Sequence, residues 1–148
     1  MSDTAKSPLD IAVGALRAHD RSRSDVEARL ARAGVAPDEV RETVAALERL
    51  GYLDDQRFAC ARAEELAERG YGDEWIRRDL HGHGVERETA AAAVEALTSE
   101  PERAARLVSG SGGAPDRRLA ARLQRKGFSA DAIESAVAGT FADVDERA

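Results

Sequence analysis

Four groupings in this 148-residue sequence have residue types that can do chemistry. Asp54-Asp55 is a carboxylate pair of the kind used in acid–base catalysis or metal binding. His81-x-His83 offers two imidazoles, Cys60 is the only thiol, and residues 110–113 form a glycine-rich run. None has the company its chemistry needs. Adjacent carboxylates diverge on a helix, and no histidine or third carboxylate is spaced to join them. A cap for the helix that follows, with Asp54 as N-cap, accounts for the pair better. Imidazoles two residues apart also diverge on a helix, and no nearby cysteine completes a zinc set. The glycine run lacks the Gly-Lys-Ser/Thr ending and the preceding strand of a phosphate loop. Cys60 has no histidine beside it and falls inside a helix, where it is expected as buried filler. The reading is a protein that is not an enzyme and holds no metal or cofactor.

What remains is cationic. Residues 117–126 carry Arg117, Arg118, Arg122, Arg125 and Lys126 with no acid among them, while Leu119 and Leu123 mark a core face. Arg77 and Arg78 hold similar places earlier in the chain, and Arg29 and Arg32 earlier still. Such a cluster is either a solvated helix face or a contact for an acidic protein surface or a DNA backbone.

The elements that must position these residues are helices. Aromatic residues are only 4% of the chain, so the core is built from Leu, Val, Ile and Ala, a mix that favours helices over strands. Leu9, Val13 and Leu16 share one helical face. Ser24-Asp25-Val26-Glu27 reads as a capping box opening a second helix, and Pro37 suits the first turn of a third, with Val40, Val44 and Leu47 on its inner face. Arg57 stands one turn from Asp54, within reach of an ion pair. One stop signal recurs: Leu-x-x-x-Gly-apolar appears as Leu30/Gly34/Val35, Leu47/Gly51/Tyr52, Leu66/Gly70/Tyr71, Leu80/Gly84/Val85 and Leu123/Gly127/Phe128. That is the pattern of a helix ending in a left-handed glycine with an apolar residue folded back.

Aligning Gly34, Gly84 and Gly127 exposes a repeat. Leu30, Leu80 and Leu123 fall in one register, as do Val26, Ile76 and Leu119, and Val44, Val94 and Val137. The chain therefore reads as all-α, with three tandem three-helix repeats over 9–51, 52–98 and 99–142 forming an elongated curved array. Residues 1–8 are expected to be disordered and 143–148 a frayed tail. The third repeat follows at a shorter spacing, so its first helix, near 102–108, has lost about two turns of ~3.6 residues each. A flexible Gly/Ser joint follows it at 109–115. Trp75 shares its register position with Asp25 and Arg118, a solvent position. It either packs between repeats or anchors a partner.

The net charge of −6 argues against bulk nucleic-acid binding. A lone cysteine, a polar start without an apolar core and the absence of long apolar runs suit a soluble cytoplasmic protein.

The stretch Gly51-Tyr52-Leu53-Asp54-Asp55-Gln56-Arg57-Phe58-Ala59 closely resembles the Gly-Tyr-Leu-Asp-Asp-x-Arg-Phe-Ala signature of the RecX family, regulators of the RecA recombinase. The likeness extends to Arg21-Ser22-Arg23-Ser24, to Gly72, Ile76, Arg77 and Leu80 through Gly84-Val85, and to Arg125-Lys126-Gly127-Phe128-Ser129. It implies tandem three-helix repeats forming a curved rod. It also implies docking into the groove of the RecA–DNA filament, with ATP hydrolysis and strand exchange suppressed. The contacts are expected from Arg77, Arg78, Arg117, Arg118, Arg122, Arg125 and Lys126, with Trp75 as an anchor, in a monomer. The runner-up readings are a helical module that binds DNA directly and an adaptor that touches neither DNA nor RecA.

Overall fold

The computed structural model describes the backbone of residues 6–147 and the side chains of residues 6–139. Among these residues there are nine helices and no strand. The first unit is α1 (Pro8–Ala18), α2 (Arg23–Arg32) and α3 (Pro37–Arg49). The second is α4 (Asp55–Glu68), α5 (Asp73–Gly82) and α6 (Arg87–Glu95), and the third is α7 (Glu100–Gly110), α8 (Arg117–Arg125) and α9 (Ala130–Arg147). Three separate cores follow the same division. Val26, Leu30, Val44 and Leu47 centre the first, Ile76, Leu80 and Val94 the second, and Val108, Leu119, Leu123 and Phe128 the third. This is the three-repeat all-α array that the register alignment implies.

All five glycine stops form. Gly34, Gly51, Gly70, Gly84 and Gly127 have φ between +75° and +96°. After each, the next residue's N–H reaches back to the leucine carbonyl, as in Val35 to Leu30 at 3.1 Å and Tyr52 to Leu47 at 2.9 Å. Asp54 caps α4 by accepting from the N–H groups of Gln56 and Arg57.

Several local expectations are corrected. The capping box of α2 is Ser22 with Asp25, two residues earlier than the Ser24–Glu27 reading. In α1 the buried residues are Ala12 and Ala15, with Val13 and Leu16 at the edge and Leu9 exposed. Cys60 is exposed, and the neighbouring Ala59 takes the buried position. Arg57 does not pair with Asp54; its guanidinium donates to the carbonyls of Gly51 and Tyr52, bracing the turn before α4. α1 starts at Pro8, so of the segment expected to be disordered, residues 1–5 lie outside the described residues and residue 8 is helical. α7 runs from Glu100 through Gly110; at 11 residues it matches α1 and is three residues shorter than the 14 of α4, so the expected loss of about two turns is not seen. α9 continues through 143–147, where a frayed tail was expected, and residue 148 lies outside the description. α9 also buries Ala132 and Ala136 rather than centring on Ile133 and Val137, and faces α7 through Ala104 and Val108.

The repeats meet end to end through their middle helices. The start of α2 meets the end of α5: Ser22 Oγ donates to the His83 carbonyl at 2.5 Å, and a Cβ on Gly84 would lie 2.1 Å from Ser24 Oγ. The start of α5 meets the end of α8 in the same way. Gly72 and Glu74 N–H donate to the carbonyls of Lys126 and Gly127 at 2.7 and 3.3 Å. Helix-end groups that would otherwise lack partners thus satisfy one another across each joint. A carboxylate from the next repeat's first helix staples each joint from the side. Asp55 accepts from Arg23 N–H at 2.8 Å, and Glu100 accepts from Asp73 N–H at 2.7 Å and Ser129 N–H at 3.1 Å. Ser22 is fully buried and works on both sides of the first joint, as cap and as donor. Ser22→Ala is therefore expected to cost about 2 kcal/mol in chemical denaturation, the loss of one cap and one cross-repeat hydrogen bond.

Candidate partner-binding surface

α8 is built to hold cations outward. Asp116 caps its start by accepting from Leu119 N–H at 2.9 Å, and Leu119 and Leu123 fix its inner face in the third core. Arg117, Arg118, Arg122 and Arg125 are left exposed, and none makes an ion pair with any described carboxylate. Arg77 and Arg78 on α5 are also exposed, but both lie against Glu74, at 3.9 and 3.5 Å, so their charge is partly offset locally.

The other two residues expected on this surface have structural work. Lys126 is half-buried, donates to the Arg69 carbonyl at 3.0 Å and sits 4.7 Å over the Tyr71 ring. It ties α8 to the loop before α5, so the structure places it in the joint rather than on the row of free cations. Trp75 packs at the joint between repeats. Its backbone and Cβ lie against Gly127, where an added Cβ would come within 2.6 Å, and its ring stacks on Tyr71 with 4.8 Å between centroids. Trp75 is nevertheless 41% exposed, at the C-terminal end of α8.

Two charged groups went unmarked in the sequence. Arg103 is buried at the second joint, donating to Thr98 and Tyr71 carbonyls and to Asp73 at 2.9 Å, with Phe128 beneath it. One arginine in a charged helix gives no sequence signal that sets it apart from a solvated one. In the second repeat, Arg62 grips Asp79 with two hydrogen bonds of 2.7 and 2.9 Å. The Arg62 hydrogen bonds hold the Asp79 carboxyl below the usual carboxylate range against the opposing effect of burial, and the same bonds raise the Arg62 guanidinium. A lowered carboxyl contributes stability that is present above the unfolded carboxylate range, near ~4, and is lost as pH falls through the folded value. Asp79→Asn is accordingly expected to cost about 2 kcal/mol at pH 7 and to flatten the acid limb of a thermal-melt series between pH 7 and 3.

Asp54 and Asp55 are accounted for as cap and staple, and among the described residues no group of three His, Cys, Asp or Glu is placed to hold a metal ion. No described helix is long and apolar enough to cross a membrane. The surface offers cations and an aromatic ring to a partner.

Comparison with known proteins gives this arrangement a lineage. The family described as "RecX, second three-helix domain" matches residues 54–94, which take in α4, α5 and most of α6. The "Regulatory protein RecX" of Xanthomonas axonopodis pv. citri (strain 306) is 34% identical over 139 residues, covering 88% of this chain and 86% of that protein. The chain belongs to the RecX family. A second relative, the "Regulatory protein RecX" of Stenotrophomonas maltophilia (strain R551-3), is 32% identical over a stretch of the same length. The crystal structure of RecX from Lactobacillus salivarius superimposes with a TM-score of 0.78 at 21% identity, covering 89% of this chain and 93% of that one. Another crystal structure of regulatory protein RecX gives 0.72 at 22% identity, with 86% and 69% covered. These RecX structures share the fold, and the named relatives support a regulatory role for this RecX-family chain.

Proposed function

We propose that this RecX-family chain is a negative regulator of RecA that binds the RecA–DNA filament and inhibits its ATP hydrolysis and strand exchange, acting as a cytoplasmic monomer in recombination and DNA repair. The observation that carries the proposal is the α8 row. In a chain of net charge −6, four neighbouring arginines stand exposed without an ion pair to any described carboxylate, on a fold whose relatives are named regulatory proteins. Cations kept unpaired in an acidic protein suit an acidic partner surface, and the exposed Trp75 adds an aromatic anchor beside them.

The test is single-strand-dependent ATP hydrolysis by RecA while the protein is titrated in. Hydrolysis is expected to fall, and Arg118→Glu with Arg122→Glu is expected to abolish the effect while helicity by circular dichroism stays unchanged. Inhibition that survives the double reversal removes α8 from the contact. The same row favours a second reading, direct binding across a DNA backbone. That reading requires binding to bare DNA with a steep salt dependence.

A further inference from the structure

The two joints between repeats are fastened by different kinds of charge. At the second, the fasteners are permanent cations, Arg103 on Asp73 and Lys126 over Tyr71. At the first, among the described residues, the basic side chain that reaches a carboxylate of the neighbouring repeat is His83. Its Nδ1 lies 2.8 Å from Asp25 of α2, and its Nε2 lies 3.8 Å from Asp79 on its own helix. The ring is half-buried and stands edge-on to Phe58 at 5.3 Å, which fixes its plane.

A neutral imidazole has one N–H, so it can donate to one of these carboxylates and turns a bare lone pair toward the other. The imidazolium has two and serves both. The other charges around the ring do not supply a substitute. On α4, Arg62 is committed to Asp79 and lies near Glu65, which also meets Arg69. Across the cleft, Arg21 donates to the Ala15 carbonyl and lies against His19, while Asp20 accepts from the Arg21 backbone. Arg32 lines the same cleft and makes no ion pair among the described residues.

We infer that protonation of His83 tightens the joint between the first and second repeats and leaves the joint between the second and third unchanged, making the angle between the first two repeats pH-sensitive. Histidine is the side chain whose charge changes near physiological pH, so a histidine strap gives one joint a response that arginine and lysine straps cannot give the other. This inference stands apart from the proposed partner, because it concerns the chain alone.

The exposed Cys60 on α4 supplies one natural labelling site for the test. Spin labels on Cys60 and on Glu42→Cys of α3 span the first joint, and labels on Cys60 and Glu134→Cys of α9 span the second. At pH 5.5 the broad part of the first distance distribution is expected to shrink about threefold relative to pH 8, the few-fold effect typical of a part-exposed ion pair. The second distribution should not change. His83→Gln keeps an amide donor for Asp25 but cannot titrate, so it should abolish the response, whereas His19→Gln should retain it. A response that persists in His83→Gln, disappears in His19→Gln, appears equally at both joints or is absent from the wild-type chain overturns the inference.

Discussion

Replacing Arg117 and Arg118 together by glutamate should make the protein more stable and less active. These are the first two residues of α8 after its Asp116 cap, and α8 has no acid in its first turn. A helix N-terminus favours negative charge, so two arginines there work against the backbone by roughly 0.3–1 kcal/mol each at the surface. Reversing both should stabilise the fold by about 1 kcal/mol and raise the melting temperature by about 2–4 °C. On the proposed function, inhibition of RecA should meanwhile fall at least about tenfold, since two proposed contact cations would become like charges toward an acidic partner. Opposite signs for stability and activity are the mark of residues kept for binding at the fold's expense. Equal inhibition by the stabilised variant would show that these arginines are surface decoration.

The largest stability effect is expected at Gly127. Gly127→Ala and Gly34→Ala change the same register position in different repeats, both at left-handed φ, +96° and +87°. At Gly34 nothing lies within 4 Å of the new methyl group, so the cost is conformational alone, about 1 kcal/mol. At Gly127 the methyl would fall 2.6 Å from the backbone nitrogen and Cβ of Trp75. Neither can swing away, so the joint must open and weaken the Gly72–Lys126 and Glu74–Gly127 hydrogen bonds. The expected loss is about 3–4 kcal/mol in urea unfolding, conformational strain plus two hydrogen bonds and their packing. Equal losses at the two glycines would mean that the joint contributes nothing to stability.

The contrast between these glycines shows what the sequence makes legible. The left-handed stop at each is written in six consecutive residues, because the hydrogen bond, the φ and the folded-back apolar residue are all local. Repeat register is legible for a similar reason: Leu30, Leu80 and Leu123 meet the same demand three times over. The close approach of Trp75 to Gly127 and of Ser24 to Gly84 is not legible, because nothing within either segment depends on the other until the repeats dock. Choice among equivalent local signals also fails. Ser22-x-x-Asp25 and Ser24-x-x-Glu27 are both sound caps, and the one chosen is the one whose serine can also reach the His83 carbonyl. Lys126 and Cys60 misled in opposite directions. A lysine next to arginines looks free until the Arg69 carbonyl and the Tyr71 ring come beneath it. A cysteine inside a helix looks buried until Ala59 proves to face the core. Of the expected contact surface, the arginines of α8 stand exposed and, among the described residues, unpaired, while Lys126 belongs to the joint.

The end-to-end row of middle helices also bears on how the molecule meets a partner. Across both joints the end of one helix faces the start of the next, so the row keeps one polarity, with the start of α8 at one extreme and the end of α2 at the other. The four bare arginines stand at the α8 extreme of a chain that is negative as a whole. In the field of a polyanion such a molecule feels net repulsion and a torque at the same time. Such a torque acts within the roughly 10 Å over which charges act at ordinary salt, and it favours approaches that bring the α8 arginines toward the polyanion.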